Sequence, residues 1–360
     1  MKVYKYLLLG AVAVLSAGAC EEGIDPISRV EPGADESAPL VVIKSPSVAT
    51  IIIPFTEEST AVDFEFEATD DVELQSVSVS LNGVEIANFN SFKDYRRALE
   101  SYLYDDIPVG DHTVSVKATD LSGKQTTTTF DFTISNKYVA KYEGEMFYMP
   151  FEGDLFMDIL TNASADLVGT PGFVAGKAGK AYSGSTGEYL IFPTDGLLGD
   201  EFSAAFWYKV NAVPDRAGIL TVGPPDPDKP DTPNNRKNGF RLFRENAGGK
   251  QRIKLNVGNG AADNWFDGGA AADIDPAAST WVHVAFTIGV DKAVVYLNGE
   301  IVSQGTFPGV DWTGCDILSI ASGAPRFTEW NHLSDHSLID ELRFFSKALT
   351  QEQVKAVMAD

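Results

Sequence analysis

Residues able to do chemistry are sparse in this chain, and their spacing favours binding over bond breaking. A retaining glycosidase needs two carboxylates about 5 Å apart across one sugar bond, which a strand can supply as Glu-x-Asp-x-Glu. No such string occurs after residue 144. Asp340 and Glu341 are adjacent, and neighbours on a regular strand point to opposite faces. A Gly-x-Ser-x-Gly nucleophile turn is also missing. His332 and His336 stand four apart, but in the loop-like run Asn-His-Leu-Ser-Asp-His-Ser, which lacks the helical geometry of a zinc pair. His112 and His283 read as structural hydrogen bonders. Cys315 heads an apolar run with no base near it in sequence, and reads as a buried, inert thiol. The expectation is a protein that is not an enzyme.

Binding chemistry has better candidates. In Asn-Gly-Phe-Arg-Leu-Phe-Arg-Glu, placing Phe240 and Leu242 inward turns Arg241 and Phe243 outward. In Arg-Ile-Lys-Leu-Asn-Val, inward Ile253, Leu255 and Val257 leave Lys254 and Asn256 outward. Two long loops, 224–238 and 326–337, flank these runs, and loops of such length in a compact domain are often functional. Trp265, Trp330 and His332 complete the set. Trp207 and Trp281, inside apolar runs, are expected in the core.

The elements that must position these residues are strands. From Trp281 to Phe307 the chain reads as three of them, with Val282, Val284 and Phe286 alternating with His283, Ala285 and Thr287. Asn298-Gly299 joins the second to the third and predicts a type I′ hairpin, which needs φ > 0 at both central positions. Aromatic content of 11% with abundant Thr, Val and Gly fits an all-β protein. A net charge of −23 offers no basic surface for nucleic acid or an anionic membrane. Residues 39–137 hold short strands at 40–43, 51–54, 62–68, 75–81, 84–88, 112–118 and 126–134, which suggests an immunoglobulin-like β-sandwich serving as a spacer. Asp70, Asp71 and Asp120 there read as turn-forming and edge-blocking acids, with a cadherin-like calcium site as the alternative. After a connection at 138–144, residues 145–360 hold about a dozen strands, which suggests a two-sheet jelly roll. A closing helix has Thr350 and Gln353 as its capping box and Val354, Val357 and Met358 as its apolar stripe.

The strings FEGD, GKAGKAYSGSTGEYLIFP, FSAAFWYKV, WVHVAFTI, VVYLNGEIV and LIDELRFFSKALTQEQV resemble the laminin-G-like, concanavalin A-like jelly-roll family across nearly all of 145–360. The resemblance implies a sandwich of about a dozen strands that binds carbohydrate in many members. Others bind protein, and some are glycosidases. Stacking on the apolar C–H face of a sugar suits aromatic rings, and its hydroxyls suit planar hydrogen bonders. Arg241, Phe243, Asn256, Trp265, Trp330 and His332, outward-facing or on the long loops, are therefore the candidate ligand contacts. The resemblance also implies a structural Ca²⁺ near the meeting of first and last strands, where Glu152, Asp154 and Asp340 are the candidate ligands. Asp340 could instead pair with Arg343 or accept backbone N–H bonds.

Residues 1–19 read as a signal peptide: Lys2 and Lys5, a short apolar run at 7–15, then Ala17, Gly18 and Ala19 before Cys20. The arrangement resembles a bacterial lipobox with Cys20 the lipidated residue, and Glu21-Glu22 resembles a surface-export tag. Residues 20–38, rich in Pro, Gly, Asp, Glu and Ser, form an expected tether. The resulting expectation is an outer-membrane lipoprotein, held to the membrane by its lipid alone and facing outward. It would capture extracellular glycan, with surface proteins of a glycan-uptake system as possible partners. A protein-binding or adhesion module is the alternative, and a glycoside hydrolase a third.

Overall fold

The computed structural model describes residues 34–360; residues 1–33, with Cys20 and the expected signal peptide, lie outside the described residues. The described chain divides into two compact units, one of residues 34–51 and 61–133, the other of residues 52–60 and 134–360. Among the described residues no helix is long and apolar enough to cross a membrane.

The first unit is a β-sandwich. One sheet orders the strands Leu40–Ser45, Ser59–Thr69 and Arg97–Pro108; the other orders Thr50–Ile52, Gln125–Ser135, Gly110–Asp120, Leu74–Leu81 and Val84–Phe89. Alternation drives it: Val62, Phe64, Phe66 and Ala68 are buried while Asp63 and Glu65 face water. The edge strand Arg97–Pro108 escapes the sequence reading because its apolar residues lie on both faces. Only Ala98 and Ile107 in it are fully buried, and Leu99 and Leu103 stand in solvent. His112 is structural as expected: its Nε2–H donates to the Pro108 carbonyl at 2.8 Å, and its Nδ1 accepts from the Asn82 amide at 3.0 Å.

The second unit packs two larger sheets face to face. The first sheet runs Asp166–Val168, Tyr189–Pro193, Ile317–Ile320, Arg216–Val222, Phe240–Ala247, Lys250–Gly258 and Asp263–Asp267. The second runs Gly172–Ala175, Lys180–Ser183, Leu338–Phe345, Phe202–Lys209, Val282–Ile288, Lys292–Leu297 and Glu300–Thr306, with Glu145–Met149 beside Leu338–Phe345. Asn298 (φ 50°) and Gly299 (φ 75°) make the hairpin turn the sequence predicts. One continuous core lies between the sheets and is rich in Phe: Phe147 stacks on Phe344 at 4.6 Å, and Phe202 meets Phe240 at 5.2 Å. Truncating such a ring to Ala costs about 3–5 kcal/mol. Cys315 is buried in that core, and desolvation pushes its thiol up to about 11.

The helix Gln351–Met358 begins in a complete Thr350/Gln353 capping box. Its Val354 and Val357 pack with Ala205, Ala285, Val294, Tyr296, Phe345 and Leu349 on the outer side of the second sheet. That face is closed by apolar contact. The outer side of the first sheet is covered differently.

Candidate ligand-binding face

Inward Leu220, Leu242, Leu255 and Phe266 leave the alternate residues of the first sheet facing away from the core. One cross-strand row there runs Ser319, Thr221, Arg241, Asn256 and Trp265. Loops 224–238 and 326–337 come together near this row. Thr328 N–H donates to the Pro233 carbonyl at 2.9 Å, Asn234 and Phe327 form a β-bridge, and Lys229 pairs with Glu329.

Two buried cations fix the loops. Arg244 donates twice to Asp335 Oδ1, at 3.0 and 2.8 Å, with both side chains fully buried. Asp335 also accepts from Ser337 and, at 2.5 Å, from the Tyr208 hydroxyl, so the base of the second loop is held by a satisfied buried carboxylate. Arg241 holds the first loop by donating to the carbonyls of Asn235 and Asn238, the latter at 2.7 Å. Burial lowers its guanidinium to about 10. Arg241 Nε, Asn256 Oδ1, Thr221 Oγ1 and Ser319 Oγ are buried without a protein partner.

Above this base lies an aromatic cluster. His332 stacks on Phe327 at 4.6 Å and meets the edge of Phe243 at the same distance. Phe243 and Phe327 then brace Trp265 and Trp330, at 5.9 and 6.0 Å. The two tryptophans remain 44% and 36% exposed. The Arg236 guanidinium lies 5.5 Å from the Trp265 ring and 4.8 Å from that of Trp330, and Asp263 holds it at 2.8 Å. Asp263 in turn accepts from Asn256 at 3.0 Å. A row of charge borders the rings: Lys254 bridges Glu245 and Asp267, each at 3.1 Å. His332 sits 3.1 Å from Glu245, and that hydrogen bond, with help from Lys254, holds the Glu245 carboxyl down at about 2. Desolvation lowers His332 itself, so the imidazole is neutral near pH 7 and donates from Nε2.

The expected contacts therefore separate into two layers. Arg241, Phe243 and Asn256 face away from the core as the alternation predicts but are buried beneath the loops, and His332, within the second loop, is buried with them; all four support the face. Trp265 and Trp330 reach solvent. Sequence reasoning missed Arg236 and Asp263, and the charged row. Lys254 was placed outward, but its partnership with Asp267 follows only from strand register, which no local motif encodes.

The second sheet corrects three further expectations. A β-bulge shifts the register between Ala205↔Arg343 and Trp207↔Asp340, and Glu341 takes φ 55°. The bulge breaks the alternation that would send Asp340 and Glu341 to opposite faces. Burial raises both carboxyls, Asp340 to about 7 with the Glu341 charge adding to the rise, and Glu341 against the pull of the Tyr148 hydroxyl and Arg343. Trp207 and Trp281 are half-buried, not core. Trp207 stands on the outer side, with Lys177 Nζ 4.8 Å over its ring and His283 at its edge. His283 makes no structural hydrogen bond through Nδ1, which is buried without a partner, and desolvation lowers the imidazole to about 4. A cleft of about 360 Å³ lies among Tyr148, Lys177, Trp207, Glu341 and Arg343. Its groups satisfy one another: the Tyr148 hydroxyl donates to Glu341 at 2.6 Å, and Arg343 stacks 3.5 Å over Tyr148 while pairing with Glu145.

First and last strands do lie side by side, and Glu152, Asp154 and Asp340 all reach the loop 176–180. Each meets a donor there. Asp340 accepts from the N–H groups of Lys177 (2.6 Å), Ala178 (3.0 Å) and Glu341 (2.8 Å). Glu152 accepts from Lys180 N–H at 2.9 Å, and Asp154 pairs with Lys180 Nζ at 2.5 Å. These acids hold the loop through N–H and lysine donors, at the place where the expected calcium cage would form. No group of three or more His, Cys, Asp or Glu is placed to hold a metal ion among the described residues.

Residues 184–355 match the family model described as the concanavalin A-like lectin/glucanases superfamily. No curated protein matches the chain. Among solved structures, the chain is similar to domain 4 of AbnA, a GH43 extracellular arabinanase from Geobacillus stearothermophilus, in complex with arabinotriose. That match has 22% identity and a TM-score of 0.47, and covers 59% of this chain and 97% of that one. The botulinum neurotoxin serotype C1 binding domain shows 13% identity and a TM-score of 0.43, over 60% of this chain and 52% of that one. A SAP-like pentraxin from Limulus polyphemus shows 17% identity and a TM-score of 0.33, over 44% of this chain and 69% of that one. Over residues 184–355, within the second unit, the chain is similar to the concanavalin A-like superfamily, and the unit's two face-to-face sheets are the jelly roll the sequence suggests.

Proposed function

We propose that this chain is a non-catalytic carbohydrate-binding protein whose ligand lies on the outer face of the first sheet, against Trp265 and Trp330. The observation that carries the reading is the pair of solvent-facing indoles braced from below by Phe243, Phe327 and His332 and held apart from collapse by Arg236. Exposed aromatic rings with a rigid base suit the C–H faces of sugar rings, and the neighbouring Glu245, Lys254 and Asp267 suit hydroxyls. A glycan array probed with the full chain tests it: binding to at least one glycan, lost in Trp265→Ala, is expected. Binding only to protein ligands would favour an adhesion module instead.

The reading extends to location. A lipid on Cys20 would anchor the chain to an outer membrane, and the first unit would act as a spacer that carries the glycan-binding unit outward, within reach of partner proteins of a glycan-uptake system. Cys20→Ser should abolish metabolic palmitate labelling; unchanged labelling would remove the anchor from the account.

A further inference from the structure

We infer that the ligand of this face is a neutral glycan, bound by ring stacking and not by charge; the inference rests on the carbohydrate-binding reading. Charge pairing at the face is the observation. Arg236, the cation that touches both tryptophans, spends its charge on Asp263 at 2.8 Å. Lys254 is shared between Glu245 and Asp267 at 3.1 Å each. Arg216, which donates to the Trp330 carbonyl at 3.2 Å, has Glu245 4.0 Å away. A uronate or sulfate arriving here would meet exposed cations already neutralised, and beside them the carboxylates that neutralise them; Arg241, held by carbonyls alone, is fully buried under the loop. Replacing one of those carboxylates would leave it as an unpaired anion next to the incoming one, at a cost that polar hydroxyls avoid.

The wider field points the same way. At a net charge of −23 the protein repels a polyanionic chain at long range and offers it no steering. Hydroxyls, by contrast, both donate and accept, so they can bond to either member of an ion pair without breaking it. Lys237, exposed beside Arg236 in the chain, has no carboxylate partner among the described residues, and the salt dependence of binding reads any contribution from it.

The experiment prints neutral polysaccharides (arabinan, mixed-linkage glucan, galactomannan) and acidic ones (polygalacturonate, heparin, hyaluronan) on one array. The full chain and its Trp265→Ala variant are then applied at low and high sodium chloride. The expected result is binding confined to neutral glycans, changing less than about twofold with salt and falling about tenfold in the variant. Binding confined to acidic glycans, or affinity that collapses with salt while still requiring Trp265, overturns the inference and leaves the carbohydrate reading standing. Binding to no glycan overturns both.

Discussion

The two outer faces of the second unit are built from the same alternating strands and are finished in opposite ways. On the second sheet, Val354 and Val357 of the closing helix cover Ala205, Ala285 and Val294 with an apolar seal, and the cleft beside it is filled by groups that satisfy one another. On the first sheet, two polar loops are pinned by buried arginines and leave two indoles in water. Covering a sheet stabilises it in either case. The loops leave two indoles 44% and 36% exposed, whereas Trp207 on the other sheet is half-buried under Lys177, and exposed aromatic surface on a rigid base marks a binding face. The difference lies in where the polar groups are placed: the helix keeps its own at the margin, where Gln351 donates to the Gly299 carbonyl and Lys355 pairs with Glu300, whereas the loops rest on buried Asp335, Arg244 and Arg241.

The largest effect is expected at that foundation. Asp335→Ala strands Arg244 and the Tyr208 hydroxyl in the interior, and should cost about 3–5 kcal/mol in urea unfolding and abolish ligand binding with it. A loss below about 1 kcal/mol would show that the loops do not depend on this pair.

A smaller effect separates the faces by pH. His283, on the sealed side, titrates near 4 when folded and near 6.5 when unfolded. Between those values the unfolded chain takes up a proton that the folded one refuses. Stability is therefore fully present above pH 6.5 and falls as the pH drops towards 4, by about 3 kcal/mol from this group. His283→Gln should flatten that part of the profile; an identical slope in the variant would place the acid sensitivity elsewhere.

Smallest is the effect of calcium. With Asp340 engaged by three backbone N–H groups, neither chelator nor added calcium should move the melting temperature, while Asp340→Asn should lower it at neutral pH by removing an acceptor. A chelator-sensitive transition would restore the cage.

Much of this architecture was legible in the residues. Asn298-Gly299 could be read as a turn because its chemistry is local, and the inward placement of Leu242, Leu255 and Phe286 followed from a period of two. The strand 97–108 was hidden because a strand at a sheet edge, with Leu99 and Leu103 in solvent, carries no clear alternation. Asp340 and Glu341 misled for the converse reason: alternation was assumed, and a bulge broke it. Trp265 and Trp330 could be named from their setting. The ion pair that orders them, Arg236 with Asp263, joins residues far apart in the chain across a loop and a strand end, and nothing in either neighbourhood announces it.

Glycan affinity and melting temperature, measured together for Trp265→Ala and Trp330→Ala in the full chain, show whether the two indoles bind ligand or only pack. Both rings are substantially exposed and braced from one side only. Each variant should therefore lose about tenfold in affinity, or about 1.4 kcal/mol, while its melting temperature shifts by no more than a few degrees. Variants that keep full affinity for the glycan, or that unfold as badly as Asp335→Ala, would contradict the assignment of the outer face of the first sheet as the binding surface.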